Sequence, residues 1–185
     1  MEIVTCGVDE AGRGSLAGPV TAAAVVLPQG FPVEKLADSK VLSPQERDEA
    51  AVFIKEYACE WSLGWAWPEE IDRYNIHVAT LLAMRRALHR LNVQPERVDV
   101  DGRFVPRCRF SCRAEIKGDT RIPAVMAASI IAKTARDRWM IRYARIEPVY
   151  RFDVHKGYPT PEHRALIKRW GVSAIHRHSF RVTLS

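Results

Sequence analysis

No stretch of the 185-residue chain approaches the roughly 20 consecutive apolar residues that a membrane-spanning helix needs. A basic-then-apolar leader is missing too: the N-terminus runs straight into a strand-like segment carrying Glu2, so a cytosolic protein is expected. Cysteine is scarce, and the four present, Cys6, Cys59, Cys108 and Cys112, show no CxxC spacing. A disulfide framework and a zinc site are therefore not expected. In an extended strand at about 3.3 Å per residue, Cys108 and Cys112 would lie roughly 13 Å apart. Repeats, low-complexity tracts and an interdomain linker are also missing. One domain over residues 1–185 is expected, and 47% hydrophobic residues suffice for a core of its own.

Acidic residues run short where basic ones are plentiful. Residues 1–100 hold 10 Lys/Arg against 15 Asp/Glu, a balance of −5, whereas residues 101–185 hold 18 against 7, a balance of +11. A polyanion is expected to lie on the second half. The sharpest local pattern is in the first half, over residues 3–18. There an apolar run ends in two adjacent carboxylates, Asp9 and Glu10, followed by Gly12, Arg13 and Gly14. Paired carboxylates at the end of a buried strand are costly unless a cation neutralises them, and hard oxygen donors suit Mg²⁺ or Mn²⁺. The glycines let backbone N–H groups approach an anion, and Arg13 offers a planar fork for phosphate. Neighbours on a regular strand point to opposite faces, so both acids reach one site only if the strand ends or bends there.

Residues 19–28 read as a second strand apolar enough for burial on both faces. Ser43-Pro44-Gln45-Glu46 is a capping-box start for a helix of about four turns to near Ala58. The alternating run from Cys59 to Trp67 is a third strand that Pro68 ends. An amphipathic helix is expected over 76–91 and a short strand over 97–101, where Asp99 and Asp101 share a face and spacing cannot say which is functional. Residues 108–116 alternate as another strand. A long helix is expected from Ile122 to about Glu147, apolar nearly all round in its first half and therefore buried. Ser129, Lys133 and Asp137 make a polar stripe on it at i, i+4 and i+8, and an ordinary Lys133–Asp137 salt bridge explains that stripe locally. His155-Lys156-Gly157-Tyr158-Pro159 is a loop able to present a ring to a sugar or base. A final helix starts at Thr160-Pro161, with Gly171 as its stop. The order of elements predicts an α/β protein with a mixed sheet.

These segments resemble the type 2 ribonucleases H, the ribonuclease HII family, in its bacterial form. The motifs arrive in family order: V-D-E-A-G-R-G at 8–14, D-S-K at 38–40, E-E-I-D-x-Y-N-I at 69–76, V-D-G at 100–102, K-G-D at 117–119, A-A-S-I-I-A-K-x-x-R-D at 127–137, H-K-G-Y-P-T at 155–160 and I-H-R-x-S-F at 175–180. The resemblance implies a ribonuclease H-like fold, a central five-stranded mixed sheet with helices on both faces. It implies a catalytic and metal-binding set of Asp9, Glu10, Asp101 and Asp137, choosing Asp101 over Asp99, which stands where the family usually has an aliphatic residue. Two divalent ions, Mg²⁺ or Mn²⁺, are expected with substrate bound. Gly12, Arg13, Gly14 and Tyr158 are expected around a ribose 2′-hydroxyl and the next sugar, with Lys40 on a backbone phosphate, while Asp119, Ser129 and Lys133 are possible accessories. The implied partners are RNA–DNA hybrid and ribonucleotide-containing duplex DNA, with cleavage on the 5′ side of the ribonucleotide leaving 3′-hydroxyl and 5′-phosphate ends. Ribonucleotide and primer removal would follow from that activity. A monomer is expected, and recruitment by a sliding clamp is not legible in the sequence. A silent hybrid-binding module and a resolvase-like DNase of the same fold remain as other classes; the joint presence of four acids argues against the first.

Overall fold

The computed structural model describes residues 5–36 and 42–180. Lys40, with Asp38 and Ser39, lies outside them. The elements in chain order are β1 (Thr5–Ala11), β2 (Val20–Val26), α1 (Pro44–Tyr57), β3 (Glu60–Ala66), α2 (Pro68–His89), β4 (Arg97–Asp101), β5 (Cys112–Glu115), α3 (Pro123–Tyr143), α4 (Phe152–His155) and α5 (Pro161–Trp170). The five strands form one mixed sheet in the order β3-β2-β1-β4-β5. β1–β2 and β2–β3 are antiparallel, while β1–β4 and β4–β5 are parallel. This is the ribonuclease H-like α/β architecture expected above. No helix among the described residues is long and apolar enough to cross a membrane.

Strand alternation builds two cores, one on each face. Val20, Ala22, Ala24 and Val26 join Cys6, Val8, Val98 and Val100 against Ala83, Met84, Ala87 and Leu88 of α2. Ala23 and Val25 face the other way, onto Ile54 of α1 and Ile130 and Ile131 of α3. β2 is accordingly buried at every position, as its sequence, apolar but for Thr21, predicts. α3 approaches β1 so closely that a Cβ added at Gly7 would stand 2.0 Å from the Ala124 carbonyl carbon. No side chain fits there, and this contact sets α3 directly behind the first strand.

Element boundaries departed from expectation where side chains interrupt a period. α1 starts as predicted: Ser43 Oγ accepts the Glu46 N–H at 3.2 Å and the Glu46 carboxylate accepts the Ser43 N–H at 2.8 Å. α2 begins at Pro68, well before the expected Ile76, and is broken at Asn75, whose φ is 69°. Asn75 Oδ1 accepts the Val78 N–H, capping the second half and hiding the first from periodicity. β5 is shorter than the expected 108–116. The chain turns before it, bringing Cys108 Sγ and Cys112 Sγ to 3.3 Å, in place of the separation an extended strand would give. Both are free thiols.

The strand ends set the stage for the site. Pairing of β1 with β4 runs from Thr5–Arg97 to Val8–Val100, so Asp9 and Asp101 come just past the last rung. Crevices at the carboxyl ends of parallel strands are where α/β sheets present polar groups to ligands.

Candidate active site

A cleft of about 470 Å³ opens at that point, with Asp9, Glu10, Asp101 and Asp119 on its wall. Gly12, Arg47, Ser129, Lys133 and Tyr158 line it as well. Asp9 pairs with Ala23, on the α1–α3 side of the sheet, and Glu10 pairs with Ala22, on the α2 side. The two acids therefore do leave the strand on opposite faces. They share a cleft because β1 stops at Ala11 and the cleft wraps its end.

Asp9 is 5% exposed, and its Oδ1 accepts the Glu10 N–H at 2.7 Å. Burial, reinforced by the charges of Glu10 and Asp101, pushes its carboxyl well above the usual carboxylate range; a hydrogen bond from Ser129 opposes that rise. Glu10 is raised by burial too, and the Arg13 guanidinium, 3.4 Å away, offsets part of the rise. Asp101 Oδ1 accepts the Gly118 N–H at 2.8 Å and the Asp119 N–H at 3.4 Å, which ties β4 to the turn carrying Asp119. Asp99 goes elsewhere: it is 3% exposed, paired with Arg97 at 3.1 Å, and lines a separate cavity at the opposite end of the sheet.

Asp137 is paired with two basic residues of the cleft wall. It lies one turn beyond Lys133 on α3 and does not line the cleft, with Lys133 Nζ at 3.0 Å and Arg47 at 3.9 Å. The local salt-bridge reading of the stripe is thus realised, and Asp119 is the fourth acid on the wall. Among the described residues, no three acidic, histidine or cysteine side chains form a closed metal-binding group. The donors are hard oxygens on an open cleft, and the charges of Glu10 and Asp101 help to raise the Asp9 carboxyl. That suits Mg²⁺, which keeps waters or substrate oxygens in its shell and is rarely caged by protein alone.

The cleft's other wall is a loop assembly. Leu16 N–H donates to the Gly157 carbonyl, Gly18 N–H to that of Ile175 and Arg177 N–H to that of Leu16, each at 2.8 Å. Two buried guanidiniums lock it. Arg136 donates to the carbonyls of Pro19, Ala17 and Lys156 at 2.8, 3.1 and 3.0 Å. Arg177 donates to those of Gly18, Arg13 and Gly12 at 2.9, 3.0 and 2.7 Å. Gly12, with φ +93°, is where Arg136 passes: a Cβ there would lie 2.0 Å from the Arg136 Nε. The Tyr158 ring has Lys133 Nζ 4.7 Å from its centroid and the Arg136 Cζ at 5.2 Å.

A family model for ribonuclease HII matches residues 6–183. The chain belongs to the ribonuclease HII family. Ribonuclease HII of Nitrosospira multiformis is 51% identical over 175 residues, covering 95% of this chain and 88% of that protein. The Laribacter hongkongensis ribonuclease HII is 52% identical over 182 residues, covering 97% and 92%. A solved PCNA–ribonuclease HII complex from Archaeoglobus fulgidus superposes with a TM-score of 0.82 at 27% identity, covering 97% of this chain and 96% of that one. The chain is accordingly an endoribonuclease, of a family that acts on RNA–DNA hybrids and depends on a divalent metal.

Of the residues expected from sequence, Asp9, Glu10, Asp101, Asp119, Gly12, Ser129, Lys133 and Tyr158 line one ribonuclease HII cleft. Arg13 borders it through Glu10, with its side chain half exposed. Gly14 is exposed. Sequence reasoning missed Arg47, Arg136 and Arg177. The last two sit inside quoted motifs, R-D and I-H-R, yet an arginine reads by default as a surface phosphate contact. Only the fold shows that these two are buried and bonded to carbonyls.

Proposed function

We propose that this cleft hydrolyses the phosphodiester on the 5′ side of a ribonucleotide, in RNA–DNA hybrid and at single ribonucleotides within duplex DNA. The observation that carries the reading is that Asp9, Glu10 and Asp101, from two diverging strand ends, line the same cleft as Gly12 and Tyr158. Asp9, Glu10 and Asp101 would hold the divalent cations. Asp137 would join them by exchanging its bond to Lys133. When bound, such ions activate water and stabilise the leaving 3′ oxygen in an in-line displacement at phosphorus.

The chain's own groups do the rest. Lys133 and Arg47, cations on the wall of an acidic cleft, receive the backbone phosphate. The Tyr158 ring packs on the sugar that follows the cut, favouring a deoxyribose there. The Gly12–Gly14 backbone, held from behind by Arg177, faces the 2′-hydroxyl. Tyr158→Ala should lower cutting at a single embedded ribonucleotide about tenfold, since ring stacking on a nucleotide is worth ~1–3 kcal/mol. The deciding experiment maps the cut in a duplex with one ribonucleotide: a 3′-hydroxyl and a 5′-phosphate on its 5′ side support the reading. Binding without cutting would mark a silent module, and cutting of all-DNA duplex would mark a DNase; either rejects it.

Gly14 provides an independent check. A Cβ there meets nothing within 4 Å and its φ lies outside the positive range, so the folded protein does not itself require glycine. Gly14→Ala should leave the thermal midpoint unchanged and still lower cutting on the order of 10²-fold, as a displacement of substrate by about 1 Å does. An alanine variant as active as wild type would remove this loop from the substrate's path.

A further inference from the structure

Behind the Tyr158 loop lies a group that the proposed chemistry does not use: three histidines, His155, His163 and His176, all buried. We infer that they are positioning residues for Tyr158, acting through a hydrogen-bond relay in which each imidazole is neutral and confined to a single tautomer. The inference rests on the sugar contact proposed for Tyr158.

The tautomers follow from partners that have no choice of role, because a backbone N–H only donates and a carbonyl only accepts. Ser173 N–H donates to His176 Nδ1 at 2.7 Å, so the proton of His176 is on Nε2. That Nε2–H faces His163 Nε2 at 3.0 Å, so His163 accepts there and carries its proton on Nδ1. His163 Nδ1–H then donates to the Tyr158 carbonyl at 2.9 Å. On the other side, Gly157 N–H donates to His155 Nδ1 at 3.1 Å, leaving His155 Nε2–H to donate to the Tyr150 carbonyl at 2.7 Å. All six ring nitrogens are used, three as donors and three as acceptors. A fourth ring proton would turn an acceptor into a second donor facing an N–H, and the bond there would break.

The surroundings support neutrality. The His155 and His163 rings stack at 4.1 Å and 15°, so a charge on one would lie against the other. The rings of Phe152 and Tyr150 enclose the group. The charged groups facing it are Glu162, Asp153 and Lys156 around His155, and Glu147 and His178 around His176. Burial nonetheless lowers all three, His163 and His176 to about 4. The relay has two hydrogen-bonded arms, joined by the His155–His163 stack, that end on both sides of the residue they serve: the Gly157 N–H and the Tyr158 carbonyl bracket the peptide from which the ring projects toward Lys133. Tyr158 N–H is held as well, by the His155 carbonyl at 2.9 Å.

The test has two parts. In ¹⁵N-histidine-labelled wild-type protein, NMR should show His155 and His176 as Nε2–H tautomers and His163 as Nδ1–H, all neutral at pH 6; a cationic ring or a tautomer mixture would overturn the relay. In cutting assays on a single-ribonucleotide duplex, His163→Leu should reduce kcat about tenfold, the loss expected when the Tyr158 ring contact goes, and should add nothing in a Tyr158→Ala background. His163→Asn, whose amide reaches the Nδ1 position as a donor that does not titrate, should recover activity and flatten the part of its decline that falls near pH 4. Additive losses from His163→Leu and Tyr158→Ala, or no rescue by asparagine, would overturn the positioning role. An inert Tyr158→Ala alongside the predicted tautomers would reject the sugar contact instead, leaving the histidines as a clamp on the loop.

Discussion

Asp101→Asn is expected to lower Mg²⁺-supported cutting on the order of 10³-fold, about 4 kcal/mol of barrier, while hybrid binding in Ca²⁺ survives. The argument is that asparagine preserves the structural half of the residue and removes the chemical half. An amide oxygen at this position still accepts the Gly118 and Asp119 N–H groups that hold β4 against its neighbouring turn. It no longer supplies the negative charge that a hard cation needs. Asp9→Asn should be equally inactive and adds a thermodynamic signature. The folded carboxyl of Asp9 titrates above its unfolded value, because burial and two neighbouring carboxylates disfavour the anion. A carboxyl raised on folding contributes stability that is fully present below its unfolded pKa, about 3.9, and lost as pH rises through the folded pKa. In chelator, therefore, Asp9→Asn should melt above wild type at pH 8, and the gap should shrink toward pH 4. Added Mg²⁺ should narrow it from the other side, by raising wild type alone. Thermal melts across pH, with and without Mg²⁺, read all three effects. Full turnover by either variant would remove that residue from the metal set.

Much of this architecture was legible because its signals are local or periodic. The capping box at Ser43 and Glu46 needs four residues of sequence, and β2, apolar but for Thr21, declares burial on both faces. The carboxylate pair before Gly12 stood out because acids rarely end an apolar run without a cation. What sequence did not show depends on long-range geometry. Alternation put Asp99 and Asp101 on one face, yet a few ångströms along the strand send one to Arg97 and the other to the cleft. The half of α2 before Asn75 was hidden because a single left-handed residue resets the helical phase. Cys108 and Cys112 were misplaced because an extended strand was assumed where the chain turns. The buried arginines were invisible for a different reason: nothing nearby in sequence distinguishes a guanidinium bound for three distant carbonyls from one bound for solvent.

Arg177→Met is expected to destabilise the protein by about 3–5 kcal/mol, as three buried carbonyls lose their donor together. For a chain of this size that is a fall of roughly 10 °C or more in the thermal midpoint. The side chain is 2% exposed and donates to three carbonyls, those of Gly12, Arg13 and Gly18. Methionine fills much of the volume and leaves all three carbonyls buried without a donor, each costing ~1–3 kcal/mol unless water enters. Burial, with the nearby charge of Arg136, lowers the Arg177 pKa to about 9, so the group is still a cation at neutral pH. Two roles are then separable. If the charge alone matters, by balancing the acids across the cleft, Arg177→Lys should behave like wild type. If the fork matters, lysine fails nearly as badly as methionine, because a single ammonium does not span carbonyls on both sides of the turn. The fork is the stronger expectation: Gly12 and Arg13 belong to the loop proposed to face the ribose, and Gly18 to the segment bonded to Ile175. Lysine should therefore lower both the melting temperature and cutting at a single ribonucleotide. A lysine variant with wild-type stability and cutting would show that the guanidinium acts through its field, and that the loop keeps its shape without the fork.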